Sequence, residues 1–419
     1  MNDARRFVFI ARISQAFTPG SPIDSKELFA GRRRQREKLL STIFQKGEHA
    51  ILYGERGVGK TSLANTLFDF LVIMGQFKYY RAKVNCSSDM SFEDIWRSIF
   101  RQLVFTGEDG TTTTVDQVLP ENPTSENIRE TFQIFHDPSI IIIDELDKIT
   151  DHDVRRKLAD TIKTLSDNAI DATLILVGVG DSIEQLFGEH RSIERAIAQV
   201  PMRRMPKSEL LEIIDKGLAN CEGITVGDSA RERIADYSQG LPFYTHLLAR
   251  ESAYHAVRSD RTHIDMSDLE DAIKEAVNIQ LETNLTEYNR AVSAPRGKNF
   301  KPVLLACALA NKDEQQWFYA KDVIKPVRLI TSKPYDVPAF AKHLKAFCDQ
   351  KRGSILERRG PPRKVQYRFA RPLMEPYVVL RGLADGLISE RQLSRPSETS
   401  IVPEQLSLLS ASPGPPLEI

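Results

Sequence analysis

Apolar residues along the chain fall into two alternating patterns. Short runs at 50–53 (Ala-Ile-Leu-Tyr), 140–143 (four isoleucines) and 173–177 (Thr-Leu-Ile-Leu-Val) have the length and composition of strands buried on both faces. Residues 79–85 add a further candidate strand. Between these runs apolar residues recur three and four apart. Leu39, Leu40 and Ile43 do so within 33–45, Leu63, Leu67, Phe70 and Leu71 just after residue 61, and Phe92, Ile95, Trp96, Ile99 and Leu103 within 92–103. Strands alternating with amphipathic helices predict an α/β fold over residues 26–206, a mostly parallel sheet with helices on both faces.

The pattern changes twice more. Residues 1–25, with Pro19, Gly20, Ser21 and Pro22, read as an N-terminal arm, and 106–125 as a long polar loop. From 207 to 281 the strands stop and an all-α bundle is expected, with Ser267-Asp268-Leu269-Glu270 as a capping box ahead of its last helix. Residues 282–299 are polar, contain Pro295 and Gly297, and read as a linker. Within 300–385, helices near 303–308 and 337–350 precede a hairpin of 354–358 and 365–369 around Gly360-Pro361-Pro362, the order expected of a winged helix. The Ser- and Pro-rich tail 386–419 is expected to be disordered.

Composition narrows the class. Hydrophobic residues make up 41% and charged residues 27% of the 419, the profile of a globular protein. Basic and acidic residues balance at 57 each, so nucleic-acid binding would have to come from a local patch. Cys86, Cys221, Cys307 and Cys348 are far apart and read as reduced thiols of a cytoplasmic protein. The first residues lack the apolar core of a signal peptide, and no apolar run approaches the roughly 18 residues of a membrane span.

The candidate chemistry begins at Gly54-Glu55-Arg56-Gly57-Val58-Gly59-Lys60-Thr61, a phosphate-binding loop between a predicted strand and a helix that runs on through Ser62. The glycines let backbone N–H groups converge on a phosphate chain. Lys60 reaches the outer phosphates, and the Thr61 hydroxyl can ligate Mg²⁺. The isoleucine strand delivers Asp144 and Glu145 to the carboxyl edge of the sheet, where ligands bind. Asp144 is the candidate Mg²⁺ partner and Glu145 the candidate base for an attacking water. Together these predict ATP and Mg²⁺ as cofactors and phosphoryl transfer to water as the chemistry. Arg191 and Arg195 follow the strand 173–177. Either an arginine finger for a neighbouring subunit, with Arg195 the stronger candidate, or a solvated charged helix fits them.

These motifs resemble AAA+-type ATPases of the origin-recognition and archaeal-ATPase branch, which shades into the STAND signalling ATPases. Gly54 to Thr61 is similar to the Walker A motif and Ile140 to Glu145 to Walker B, with Asp147 also familiar. Phe29-Ala30-Gly31-Arg32 is similar to the segment that packs on adenine, which implies nucleotide contacts for Phe29 and Arg32. Gly240-Leu241-Pro242 resembles the lid signature of STAND proteins and implies a contact from Pro242. The resemblance implies Mg-ATP binding and hydrolysis, self-association through the ATPase unit, and a nucleotide-dependent switch controlling assembly or DNA engagement; the alternative is a STAND-like signalling or defence regulator with slow hydrolysis whose winged helix binds protein. Two positions depart from the pattern. The strand 173–177 runs into Gly178-Val179-Gly180-Asp181-Ser182, leaving Asp181 or Ser182 at the sensor-1 position. Phe243 stands where the lid arginine is expected, with His246 and Arg250 as substitutes.

The basic residues around the hairpin remain open to two readings. Lys342, Lys345, Arg358, Arg359, Arg363 and Lys364 could contact DNA phosphates, or they could form the solvated face of a protein-binding module.

Overall fold

A computed structural model describes residues 1–73, 78–106, 112–187, 191–279, 282–293, 299–362 and 364–393. His190, Arg363 and the residues beyond 393 lie outside the described residues, while the start of the expected disordered tail, 386–393, is folded, with Ile388 buried and a short helix over Glu390–Leu393.

The core is a five-stranded parallel sheet of β1 (His49–Gly54), β2 (Tyr80–Asn85), β3 (Ser139–Asp144), β4 (Ala172–Val179) and β5 (Ile197–Pro201), in the order β2-β3-β4-β1-β5. The isoleucine strand is buried along its whole length because both its faces are covered. Ile140 and Ile142 pack with Leu63 and Leu67 of α3 (Lys60–Ile73), the face that also receives Leu39 and Ile43 of α2 (Arg33–Ile43). Ile141 and Ile143 face the other way, against Ile95, Ile128 and Ile162 of α4 (Phe92–Phe100), α5 (Ser125–Gln133) and α6 (His152–Asp167). Each such side chain contributes roughly 1.5–3 kcal/mol by leaving water. The register sets Gly54 beside Val179 and Asp144 beside Asn85, so the functional strand ends share one edge. A small hairpin of Val104–Thr106 and Thr112–Thr114 lies where a long loop was expected.

After β4 come α7 (Ile183–Phe187), a 3-10 turn (Arg191–Ala196) and β5. The helical layer is α8 (Lys207–Ala219), α9 (Asp228–Tyr237), α10 (Pro242–Arg258) and α11 (Met266–Ile279). The expected capping box sits two residues too late. Asp265 caps α11, accepting from the Ser267 and Asp268 N–H groups, while the Asp268 carboxylate accepts from the Asp265 N–H. An aspartate competes as well as a serine for this position, and Ser267 lies inside the helix.

Two expectations for the flanks are corrected. The arm contains α1 (Asp3–Ala16), capped by Asn2, whose Oδ1 accepts from the Arg5 N–H at 2.9 Å. Phe9, Ile13, Ala16 and the following Phe17 are buried and pack on the helical layer. Gly217 of α8 admits the Phe17 ring, since a Cβ there would lie 2.3 Å from it. The prolines that suggested an extended arm come only after this helix. The expected linker begins as α12 (Glu282–Val292), held by Tyr288, whose ring meets Tyr377 edge-on at 5.8 Å. Its buried apolar residues were too few to stand out among polar neighbours.

The C-terminal module comprises α13 (Phe300–Ala308), β6 (Phe318–Tyr319), α14 (Ile324–Thr331), α15 (Val337–Phe347), β7 (Leu356–Arg359), β8 (Gln366–Phe369) and α16 (Met374–Ala384). The anticipated hairpin is β7 with β8, and β6 joins it to make an antiparallel sheet in the order β6-β8-β7. Among the described residues, no helix is long and apolar enough to cross a membrane.

Candidate functional site

The phosphate loop leaves β1 at Gly54, where a Cβ would lie 2.2 Å from the Met202 carbonyl oxygen. Gly57 (φ +87°) and Gly59 (φ +90°) take left-handed conformations that side chains resist. A Cβ on Gly59 would meet nothing within 4 Å, so the loop bends around open space at the start of α3. This is a concave set of N–H groups at a helix N-terminus, suited to an anion. Lys60 is buried, and its Nζ donates to the Gly54 and Glu55 carbonyls at 3.0 and 2.8 Å. Burial pulls its pKa down to about 8, against the opposing charges of Asp147, Asp144 and Glu55. Phosphate oxygens would give this ammonium stronger partners than two carbonyls.

Asp144 is buried at the end of β3. Its Oδ1 accepts from the Thr61 hydroxyl at 3.4 Å and from the Glu145 N–H at 2.8 Å. Lys83, on the neighbouring strand β2, places Nζ 3.2 Å from Oδ2 and donates to Asn65 Oδ1 at 2.6 Å. Lys83 was missed as a site residue. Its signal was a cation within the candidate strand 79–85. Glu145 itself sits in the left-handed region (φ +58°), an uncommon conformation for a residue with a Cβ. Its Oε2 is held by Lys148 Nζ at 2.6 Å. Asp147 accepts from the Val179 N–H at 2.8 Å and so ties this turn to the end of β4.

A cavity of about 780 Å³ opens between the sheet edge and the helical layer. Its polar lining includes Arg56, Gly57, Gly59, Lys60, Thr61, Ser62, Asp144 and Glu145. Its apolar lining includes Ile23, Phe29, Met205, Ile213, Pro242 and Leu247. The segment 18–23 closes one wall, anchored where the Ile23 N–H donates to Ser62 Oγ at 3.1 Å. A polar cradle joined to an apolar slot fits a nucleotide. Thr61 and Asp144 would hold Mg²⁺, which typically takes one or two carboxylates plus phosphate oxygens and water.

Several anticipated site residues stand behind the cavity. Gly54 and Val58 are not in its wall. Arg32 is buried outside it and donates from Nη2 to the Val58 carbonyl at 2.7 Å, bracing the loop from behind. Burial lowers its pKa to about 10, with Glu209 opposing. Asp181 and Ser182 do not reach the cavity. Asp181 pairs with Arg368 at 2.8 Å, and Ser182 donates to Glu184. Arg195 is outside the cavity too, exposed and paired with Asp167 at 2.6 Å. Arg191 belongs to the same 3-10 turn.

Glu55 has a different role from the one its place in the loop suggested. Its carboxylate turns from the cavity to Arg204, 2.9 Å away. Arg204 also pairs with Glu375 of α16 at 2.9 Å, and Glu375 with Lys312 at 3.0 Å. Burial by itself would raise the Glu375 pKa, but Lys312 and Arg204 outweigh it and hold the carboxyl below its usual range. This chain of four charges is almost dry and joins the phosphate loop to the C-terminal module. Three further contacts run parallel to it. Leu373 lines the cavity and accepts from the Tyr244 hydroxyl, Arg368 of β8 reaches Asp181, and Arg203 pairs with Glu314.

The basic hairpin is partly committed. The Arg359 and Arg368 guanidiniums lie over the Trp317 ring, at 4.3 and 4.5 Å from its centroid, and Arg359 faces Asp313 at 3.6 Å. Lys342, Lys345, Arg358 and Lys364 are exposed.

Residues 45–187 match the family model of the AAA domain. The fold is similar to that of the Aeropyrum pernix ORC2 protein, solved as ADPNP-ADP complexes, at 15% identity and a TM-score of 0.51, covering 89% of this chain and 98% of that one. It is also similar to a Walker-type ATPase of Pyrococcus abyssi, at 15% identity and a TM-score of 0.50, covering 86% and 99%. At such identities the likeness is one of fold. No curated protein matches the chain.

Proposed function

We propose that this chain, an AAA+-type ATPase whose residues 45–187 form an AAA domain, binds Mg-ATP between its α/β core and helical lid and relays the nucleotide state to its C-terminal module. The observation that carries the relay is the buried chain Glu55–Arg204–Glu375–Lys312. Charges this well desolvated are held in one arrangement, because separating either partner strands the other in a poorly solvated place. A shift of the phosphate loop when ATP binds therefore has to be answered in α16. In this reading residues 26–206 are the ATPase core, 207–281 the lid and 300–385 a winged-helix-like unit. The ADPNP-ADP complexes of the Aeropyrum pernix fold relative are in keeping with a nucleotide in the cavity.

Lys60 would neutralise the outer phosphates, and Thr61 with Asp144 would hold Mg²⁺. Glu145 takes the proton of the attacking water once it is free of Lys148. The commitment of Asp181 to Arg368, which leaves the sensor-1 position without a polar group at the cavity, favours slow hydrolysis and hence a switch over a motor. Arg195 would act on a neighbouring copy's nucleotide after leaving Asp167. The location in this reading is the cytoplasm.

For the C-terminal module, Lys342, Lys345, Arg358 and Lys364 offer DNA phosphate contacts. The pairing of Arg359 and Arg368 with acids favours the alternative, a signalling regulator whose module docks on protein. Titrating duplex DNA against salt separates the two. Affinity that falls steeply with salt and is lost in Arg358→Glu supports DNA. No binding at low salt supports the protein-docking alternative.

Calorimetric titration with Mg-ATP tests the site. Lys60→Ala is expected to abolish measurable binding while the far-ultraviolet circular dichroism stays unchanged. Retained affinity would remove Lys60 and its loop from the account.

A further inference from the structure

The lid helix α10 presents one residue to the cavity that the phosphate chemistry does not use. His246 lies one turn beyond Pro242 and borders the cavity together with Leu247. Its ring is buried and packs edge-on against Phe17, with centroids 6.0 Å apart. Nδ1 has no hydrogen-bond partner. Buried polar atoms are nearly always paired, so a nitrogen without a protein partner, in a residue that borders a cavity, is open to a partner from a bound ligand or water. Burial, reinforced by the nearby Arg250, pulls the His246 pKa down to about 4, so the imidazole is neutral at physiological pH. A neutral imidazole carries one donor and one acceptor. Such a group can exchange a hydrogen bond with a heterocyclic base, and it offers phosphate no charge. The neighbouring lining is of the same kind, with Phe29, Ile213 and Leu247 supplying apolar surface for the face of a ring.

We propose that His246 is a specificity residue that hydrogen-bonds the base of the bound nucleotide and gives the site its preference for adenine. The proposal rests on the nucleotide reading of the cavity and adds which end of the ligand meets α10. The χ2 torsion of histidine is broad, so the ring can turn Nδ1 toward the cavity without moving the helix. α1 takes part indirectly, because Phe17 limits where the ring can lie.

The test measures competition by ATP, GTP, CTP and UTP against a fluorescent nucleotide on the full chain and on His246→Ala and His246→Gln. The unsubstituted chain is expected to favour ATP by about tenfold, the size of one or two neutral hydrogen bonds. His246→Ala should narrow that spread to within about twofold, with weakening confined to the preferred base, and His246→Gln should restore part of it. Two results would overturn the proposal while leaving the nucleotide site intact. One is an equal weakening of all four nucleotides in His246→Ala, which is what a purely structural histidine would give. The other is an unchanged spread. Failure of the unsubstituted chain to bind any nucleotide would overturn both the proposal and the reading beneath it.

Discussion

Glu145→Gln is expected to leave Mg-ATP binding within about twofold of the unsubstituted chain and to lower steady-state hydrolysis by about 10²–10⁴-fold, the usual contribution of a positioned general base. Glu145 lines the cavity next to Asp144, but it holds neither Thr61 nor the loop, so removing its charge does not disturb the phosphate cradle. The amide keeps the size of the side chain and loses only the capacity to take a proton. Its present partner Lys148 would lose an exposed ion pair, worth little in water. Parallel measurements of nucleotide affinity and phosphate release check both halves. Undiminished release would assign the base to another group.

Glu375→Gln is expected to lower the unfolding free energy by about 3–5 kcal/mol at pH 7, the range for breaking a buried ion pair from one side. Glu375 is the central anion of the chain, and both its partners are almost as buried as it is. Arg204 would retain Glu55, but Lys312 would have no charged partner among those described for it. The pH dependence has a definite sign. The folded carboxyl titrates below its unfolded value, so its stabilisation is fully present above the unfolded pKa of about 4.3 and is lost as pH falls through the folded value. Denaturant titrations at pH 7 and on the acid side should show a large deficit for the variant at neutral pH that narrows on acidification. A deficit under about 1 kcal/mol at pH 7 would show that the ionic chain adds no rigidity.

Much of the fold was legible because the core states its own periodicity. The isoleucine strand, the amphipathic stripe of α4 and the strand–loop–helix around Lys60 each carry local signals that agree with the tertiary structure. The candidate site was legible where one motif carries its residues, since Lys60, Thr61 and the Asp144–Glu145 pair line a single cavity. It was opaque where contacts join residues distant in sequence. Nothing local marks Arg204, Lys312 and Glu375 as one network, since they meet only when α16 folds back on the core. Arg32 was expected at a nucleotide because its segment resembles the one that packs on adenine, yet the structure buries it against the Val58 carbonyl. The helices α1 and α12 were hidden by neighbouring prolines and polar residues, although a few aromatic side chains fix both of them.

The relay is tested most directly by hydrogen exchange across α16, with and without saturating Mg-ATP, in the unsubstituted chain and in Glu55→Gln. Glu55 is outside the cavity wall, so the variant should still bind nucleotide while its link to Arg204 is weakened. Mg-ATP is expected to change amide protection in Met374–Ala384 of the unsubstituted chain and to leave that segment largely unchanged in Glu55→Gln. Nucleotide bound at saturation with no change of exchange in α16 of the unsubstituted chain would contradict the claim that the phosphate loop and the C-terminal module move as one.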